Sequence, residues 1–155
     1  MLVLNIFLAL AWVALTGGLS TENFFVGFVV GYAVIWLARD AIGARGYATK
    51  VPRVIMFGFY FLGLFARSSL RITAEIITPR NTMRPAIIAV PLDASTDVEI
   101  LILSSLITLT PGSLSLDVSS DRRYLYVHEM YVTDPEHVRS ELKNGLEKRL
   151  LEVLR

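Results

Sequence analysis

The chain has 155 residues, 15 Lys and Arg against 14 Asp and Glu, no cysteine, and 54% hydrophobic side chains. That length holds one ordinary domain, or a membrane part joined to one small domain. Lack of cysteine excludes disulfides and thiolate metal sites, and dispersed charge excludes the basic stripe of a nucleic-acid binder.

The even totals conceal a sharp internal division. Residues 1–38 carry one charged side chain, Glu22. Residues 1–78 hold six bases and three acids, while residues 79–155 hold nine bases and eleven acids. An apolar, basic-edged half therefore precedes a polar, slightly acidic one. The start lacks a basic n-region, and Thr16-Gly17-Gly18-Leu19-Ser20 is a poor cleavage site, so the first apolar run is read as a retained membrane helix.

Leu2 to Leu15 and Phe24 to Ala38 are apolar runs separated by the breaker Gly17-Gly18 and a Ser20/Thr21 cap. Extended to residues 2–19 and 21–38, they approach the ~20 residues that cross a bilayer. Their backbones must satisfy their own hydrogen bonds in lipid, which predicts a tight helical hairpin. Gly27 and Gly31 mark a face for close helix packing and are candidates for a subunit contact. Arg39 to Arg53 reads as a polar connector, placed in the cytoplasm by its four bases and one acid.

The third segment, residues 53–78, begins with the unbroken apolar stretch Val54 to Ala66, short for a span. Arg67, Arg71 and Glu75 follow at i, i+4 and i+8 on one face, with Arg71 and Glu75 spaced to pair. The helix is expected to begin in lipid and finish amphipathic near Thr78-Pro79. If it crosses fully, the connector and the C-terminal part lie on opposite sides. If it enters only partly, both are cytoplasmic, which is the arrangement expected here.

Residues 85–155 read as a small α/β domain. Ala86 to Leu92 is a buried strand, followed by a helix capped by Asp93, Ser95 or Asp97, with Val98, Leu101, Ile102, Leu106 and Leu109 at helical spacing, a segment whose β-branched content also permits a strand. Thr110-Pro111-Gly112-Ser113 ends that helix, since Pro111 cannot continue the ladder and Gly112 allows unusual dihedrals. Leu114, Leu116 and Val118 alternate as a strand, and a return strand from Arg123 to Val132 puts Leu125 and Val127 on one face. Asp134-Pro135 starts a last helix with the stripe Val138, Leu142, Leu146, Leu150 and Val153. The order is β-α-β-β-α, whose first crossover should be right-handed.

The run from Leu106 to Val118, with Ile107-Thr108-Leu109-Thr110-Pro111-Gly112 at its heart, and the return strand Tyr124-Leu125-Tyr126-Val127-His128 carry a resemblance. Placed behind short apolar helices and before an amphipathic last helix, they resemble the E-type subunit of the multisubunit Mrp-type cation/proton (Na⁺/H⁺) antiporters of bacteria. The resemblance covers nearly the whole chain. It implies an inner-membrane, multi-pass protein with a cytoplasmic C-terminal domain, no cofactor, and partners that are other antiporter subunits and the lipid bilayer. It also implies that Na⁺ and H⁺ are moved by the complex, and that the Thr110-Pro111-Gly112 turn is a hallmark.

Chemistry read from the residues agrees with an accessory role. Exchange through lipid needs ionisable groups inside the membrane, and the hairpin offers only Asn5, Thr16 and the interfacial Glu22. Arg67, Arg71 and Glu75 are either a snorkelling helix end or a salt-bridge contact with a partner. Thr110, Pro111 and Gly112 are either a rigid corner or a docking loop. Other readings are a membrane-tethered scaffold of an unrelated complex and an anchored hydrolase. The latter would use Ser113 or Ser115, His128, and Asp117 or Asp121, but no nucleophile-elbow pattern supports it. His128 and His137 lack metal-ligand spacing.

Overall fold

The structure, a computed structural model, describes residues 1–78 and 83–155, with Arg45 described by its backbone alone. It divides into two compact units, Met1–Ile55 and Met56–Arg155.

In the first unit, α1 (Leu2–Thr16) and α2 (Thr21–Leu37) form the expected hairpin. The first helix stops before Leu19, because Gly17 turns into the left-handed region and donates its N–H to the Val13 carbonyl. Ser20 caps α2 by accepting from the Asn23 N–H. The hairpin is built inside out. Its buried residues are Asn5, Ala9 and Val13 on α1 and Gly27, Gly31 and Ile35 on α2. Phe7, Phe25 and Val29 instead point outward at roughly two-thirds exposure. Small residues inside and large apolar ones outside suit a lipid solvent, where close backbone approach rather than apolar burial holds helices together.

The third helix, α3, spans Arg45–Ile77. This corrects the expectation of a connector reaching Arg53: its last turns are already helical. Ala48 is buried in the first unit, and Tyr32 Oη donates to its carbonyl at 2.9 Å. Asn5 Nδ2 donates to Tyr47 Oη at 3.1 Å, and the Tyr32 and Tyr47 rings meet edge to face. These contacts hold the start of α3 in helix despite its polar composition. Pro52, the eighth residue of α3, cannot donate to the Ala48 carbonyl, which accepts from Tyr32 Oη instead. The helix ends at Ile77, and the expected stop at Pro79 lies outside the described residues.

The second unit carries a three-stranded antiparallel sheet with β1 (Ala86–Pro91), β2 (Ser113–Val118) and β3 (Tyr124–Glu129) in the order β1-β3-β2. Since both outer strands run antiparallel to β3, β1 and β2 are parallel to each other and joined by α4 (Asp97–Leu109). The register pairs Ile88 with Val127 and Val90 with Leu125, and all four side chains are buried on one face. Leu103 and Ile107 of α4 and Leu146 and Leu150 near the C-terminus complete that core.

Two local expectations for α4 are corrected. Its cap is Thr96, not Asp93, Ser95 or Asp97: the hydroxyl accepts from the Glu99 N–H while Glu99 accepts from the Thr96 N–H, a reciprocal capping box. Its buried stripe is Ile100, Leu103 and Ile107, and the predicted Val98, Leu101 and Leu109 are exposed. The last helix is divided into α5 (Pro135–Ser140), a π segment (Glu141–Glu147) and α6 (Lys148–Leu154). Asp134 and Pro135 begin it as expected.

Candidate functional site

The site grows from the C-terminal half of α3, which lies against the sheet domain within the second unit. Three contacts fix it there. Phe57, Tyr60 and Phe61 pack against the main core. Tyr60 reaches the π segment at Gly145, where an added Cβ would stand 2.7 Å from its hydroxyl. The π segment thus makes room for an aromatic side chain from a distant helix, and Arg149 lies over the same ring at 4.3 Å.

One helical stretch further on, the Arg71 guanidinium lies over the Tyr131 ring at 3.9 Å. Tyr131 is flanked by Gly112, whose missing Cβ would sit 3.5 Å from that ring and 3.6 Å from Ile72. Gly112 has φ 94°, so it combines a conformation that disfavours side chains with close approach to α3. Thr110 is buried and its hydroxyl donates to the Leu106 carbonyl, while Ser113 N–H donates to Thr110 and Met130 N–H to Gly112. The Thr-Pro-Gly corner is therefore tied down by hydrogen bonds, and its Gly112 abuts α3 and Tyr131 of its own chain.

Several ionisable groups surround this joint. Burial pushes the Glu129 carboxyl up, Glu141 adds to the rise, and Ser113, His128 and Arg71 oppose it. The Glu75 carboxylate beside Tyr131 pushes its phenol up, helped by burial. Glu141 also faces His137 at 3.6 Å.

The other predicted residues fall elsewhere. An added Cβ at Gly27 would meet Trp12 Cβ at 2.9 Å and the Ala9 carbonyl at 3.0 Å, and one at Gly31 would strike Asn5 Oδ1. Their close approach is made with α1 of the same chain. Ser113 and Ser115 pair with Glu129 and Val127, whereas His128 pairs with Leu114 and belongs to the opposite sheet face. Ser115 donates its hydroxyl to the Ser104 carbonyl, and Asp121 accepts from Ser119 and Arg123. These hydrolytic residue types are engaged in local structure on two faces.

Sequence reasoning missed two buried acids. Glu147, 2% exposed, accepts from the Asp93 and Ala94 N–H groups at 2.6 and 2.9 Å and pairs with Lys143 at 3.2 Å. Glu99 pairs with Arg155 at 2.9 Å, and that guanidinium, with the Ser95 and Thr96 N–H groups, pushes its carboxyl down to about 2. The pattern Thr96-x-x-Glu99 was a legible signal for the second. Lys143-x-x-x-Glu147 was a weaker one for the first.

Residues 5–153 match the model of the Na⁺/H⁺ ion antiporter subunit family, MNHE. The chain belongs to this family. It is 32% identical over 154 residues to the Na⁺/H⁺ antiporter E subunit of Bacillus subtilis, covering 99% of this chain and 98% of that one. It is 30% identical to the E subunit of Alkalihalophilus pseudofirmus, covering 98% and 96%. Among solved structures, a chain of the Mrp complex from Dietzia is 29% identical with a TM-score of 0.53, covering 66% of this chain and 96% of that one. A chain of the membrane-bound sulfane sulfur reductase, an archaeal respiratory complex, has a TM-score of 0.57 at 24% identity over 98% of this chain and 97% of that one, a likeness of fold alone. In this member of the MNHE family, the predicted Arg71 and Thr-Pro-Gly residues converge on the joint between α3 and Tyr131.

Proposed function

We propose that this chain is an accessory membrane subunit of a multisubunit Na⁺/H⁺ antiporter, assembling with its other subunits and bracing them without carrying the ions. Family membership supports the antiporter assignment. The inside-out hairpin carries the rest. It presents large apolar side chains outward, and it has no Asp, Glu, Lys, Arg or His between Asn23 and Ala38 or between Met1 and Thr21. A proton or cation crossing lipid needs such groups.

The α/β domain is placed in the cytoplasm. Helix Gly46–Ile77 is long and apolar enough to cross a membrane by length and composition. Its uncharged core from Val54 to Ala66, however, spans only about 20 Å at the rise of an α-helix, against about 30 Å of hydrocarbon. Arg53 and Arg67 bracket that core, so partial entry with snorkelling arginine stems fits it better than a full crossing. A reporter fused after Arg155 should be active in the cytoplasm, and activity confined to the periplasm overturns this placement.

Within the joint, the exposed Arg67 and Arg71, together with Glu75 and the Thr110-Pro111-Gly112 corner, are the residues proposed to meet partner subunits. Purification from native membrane with identification of every retained protein tests the assignment. Large polytopic and small hydrophobic antiporter subunits should be retained, and migration of this chain alone in mild detergent would favour a scaffold for another complex. Arg71→Glu should reduce the partners recovered, and undiminished recovery removes Arg71 from the contact.

A further inference from the structure

The C-terminal half of α3 and the sheet domain enclose a cleft of about 800 Å³. Its floor is apolar, with Tyr60, Gly63 and Leu64 from α3 facing Leu142 and Leu146. Among the described residues nothing lies within 4 Å of the place a Cβ on Gly63 would take, which leaves open space beside it.

The mouth is charged, with opposite signs on its two walls. Arg67 and Arg71 line the α3 side, and Glu129 and Glu141 line the domain side, with His137 beside Glu141. The face of the Arg71 guanidinium stacks on Tyr131, and its N–H donors lie along the edge of that plane. Arg67 stands one turn earlier, about 5–6 Å away between Cβ atoms, a spacing that lets both reach one phosphate. Across the cleft, burial and the neighbouring Glu141 charge disfavour the ionised Glu129, while Ser113, His128 and Arg71 favour it.

An apolar slot, a guanidinium pair and a facing carboxylate pair together complement one kind of molecule. It has an acyl chain, a phosphate and a primary ammonium. The geometry points to an aminophospholipid of the phosphatidylethanolamine class seated in this cleft. Its phosphate meets Arg67 and Arg71, its ammonium meets Glu129 and Glu141, and one acyl chain follows Tyr60 and Gly63. Such a lipid would mortar the domain to the membrane edge. This inference rests on the reading that α3 enters the bilayer through its apolar core.

The test extracts the intact antiporter complex in mild detergent, washes it, and counts retained lipids by mass spectrometry. Wild type is compared with Gly63→Leu, which fills the slot at a position with open space, and with Arg67→Gln, at an exposed position. Retained phosphatidylethanolamine should fall by one molecule per copy of this chain in each variant, with partner subunits still co-eluting in Gly63→Leu. Equal counts in wild type and variants overturn the proposal. So does loss of phosphatidylglycerol or cardiolipin instead, which would mean a site for anionic lipid. Should Gly63→Leu fail to assemble, Glu141→Gln joins Arg67→Gln in the comparison. A periplasmic reporter with the expected lipid loss would sink the topology alone; unchanged lipid with a cytoplasmic reporter would sink this inference alone.

Discussion

Gly145→Ala isolates the contact between α3 and the π segment. The new Cβ would lie 2.7 Å from Tyr60 Oη, well inside contact distance, while the next atom, Tyr60 Cζ, is at an ordinary 3.9 Å. Alanine in place of a helical glycine favours the folded state by about 0.5–1 kcal/mol. Tyr60 is packed against the core and under Arg149, so its hydroxyl has little freedom to give. Overpacking of this kind costs about 1–3 kcal/mol, which should destabilise the single variant on balance. Removing the hydroxyl with Tyr60→Phe leaves only the 3.9 Å neighbour, so Gly145→Ala in that background should be neutral or stabilising. The coupling between the two sites should therefore be about 1–3 kcal/mol. For a unit of this size that separates melting temperatures by roughly 4–8 °C per kcal/mol. Thermal unfolding of the full chain in mild detergent, followed by circular dichroism, measures it. If Gly145→Ala has the same effect with and without the Tyr60 hydroxyl, then α3 does not seat in the π segment and the joint is wrong.

Gly27→Ala should separate α1 from α2, because its Cβ meets the Ala9 carbonyl and Trp12, whereas Gly58→Ala has open space and should be harmless. Both tryptophans, Trp12 and Trp36, lie in the hairpin, so intrinsic fluorescence melting should drop for the first variant only. Glu99 ionises at about 2 in the fold against an ordinary 4.5, so its contribution is present above pH 4.5 and lost as pH falls towards 2. Glu99→Gln should flatten that acid limb in denaturant titrations of the full chain. Raised Glu129 acts with the opposite sign, favouring the fold at low pH and disfavouring it as pH rises through its elevated value. Gly112→Ala should cost about 1–2 kcal/mol through its φ of 94° alone, read from the same titrations. Pro111→Gly separates the two roles of the corner: lost antiport with normal folding means docking, and lost folding means a structural corner.

How far the sequence disclosed this molecule depends on the range of the forces involved. The hairpin was legible because lipid imposes composition directly: one charge in residues 1–38 and a Gly-Gly break. The sheet was legible from alternation, and Leu125 and Val127 are buried as their spacing required. The first turns of α3 were not, since tertiary contacts to Tyr47 and Ala48 override the polar composition of Arg45 to Arg53. The buried face of α4 was misread because apolar residues surround that helix, so periodicity did not single out Ile100, Leu103 and Ile107. The π segment answers to Tyr60, more than eighty positions away, which no local pattern reports. Within the site, the Thr-Pro-Gly corner and the Arg67–Arg71–Glu75 face were visible in sequence. Their meeting through Tyr131 was visible only in three dimensions.

The most direct test of an accessory role places the purified chain alone in sealed vesicles and follows internal pH by fluorescence while a sodium gradient is imposed. No exchange above that of empty vesicles is expected, with activity restored only when the other antiporter subunits are present. Sodium-dependent proton movement by this chain alone would contradict that role.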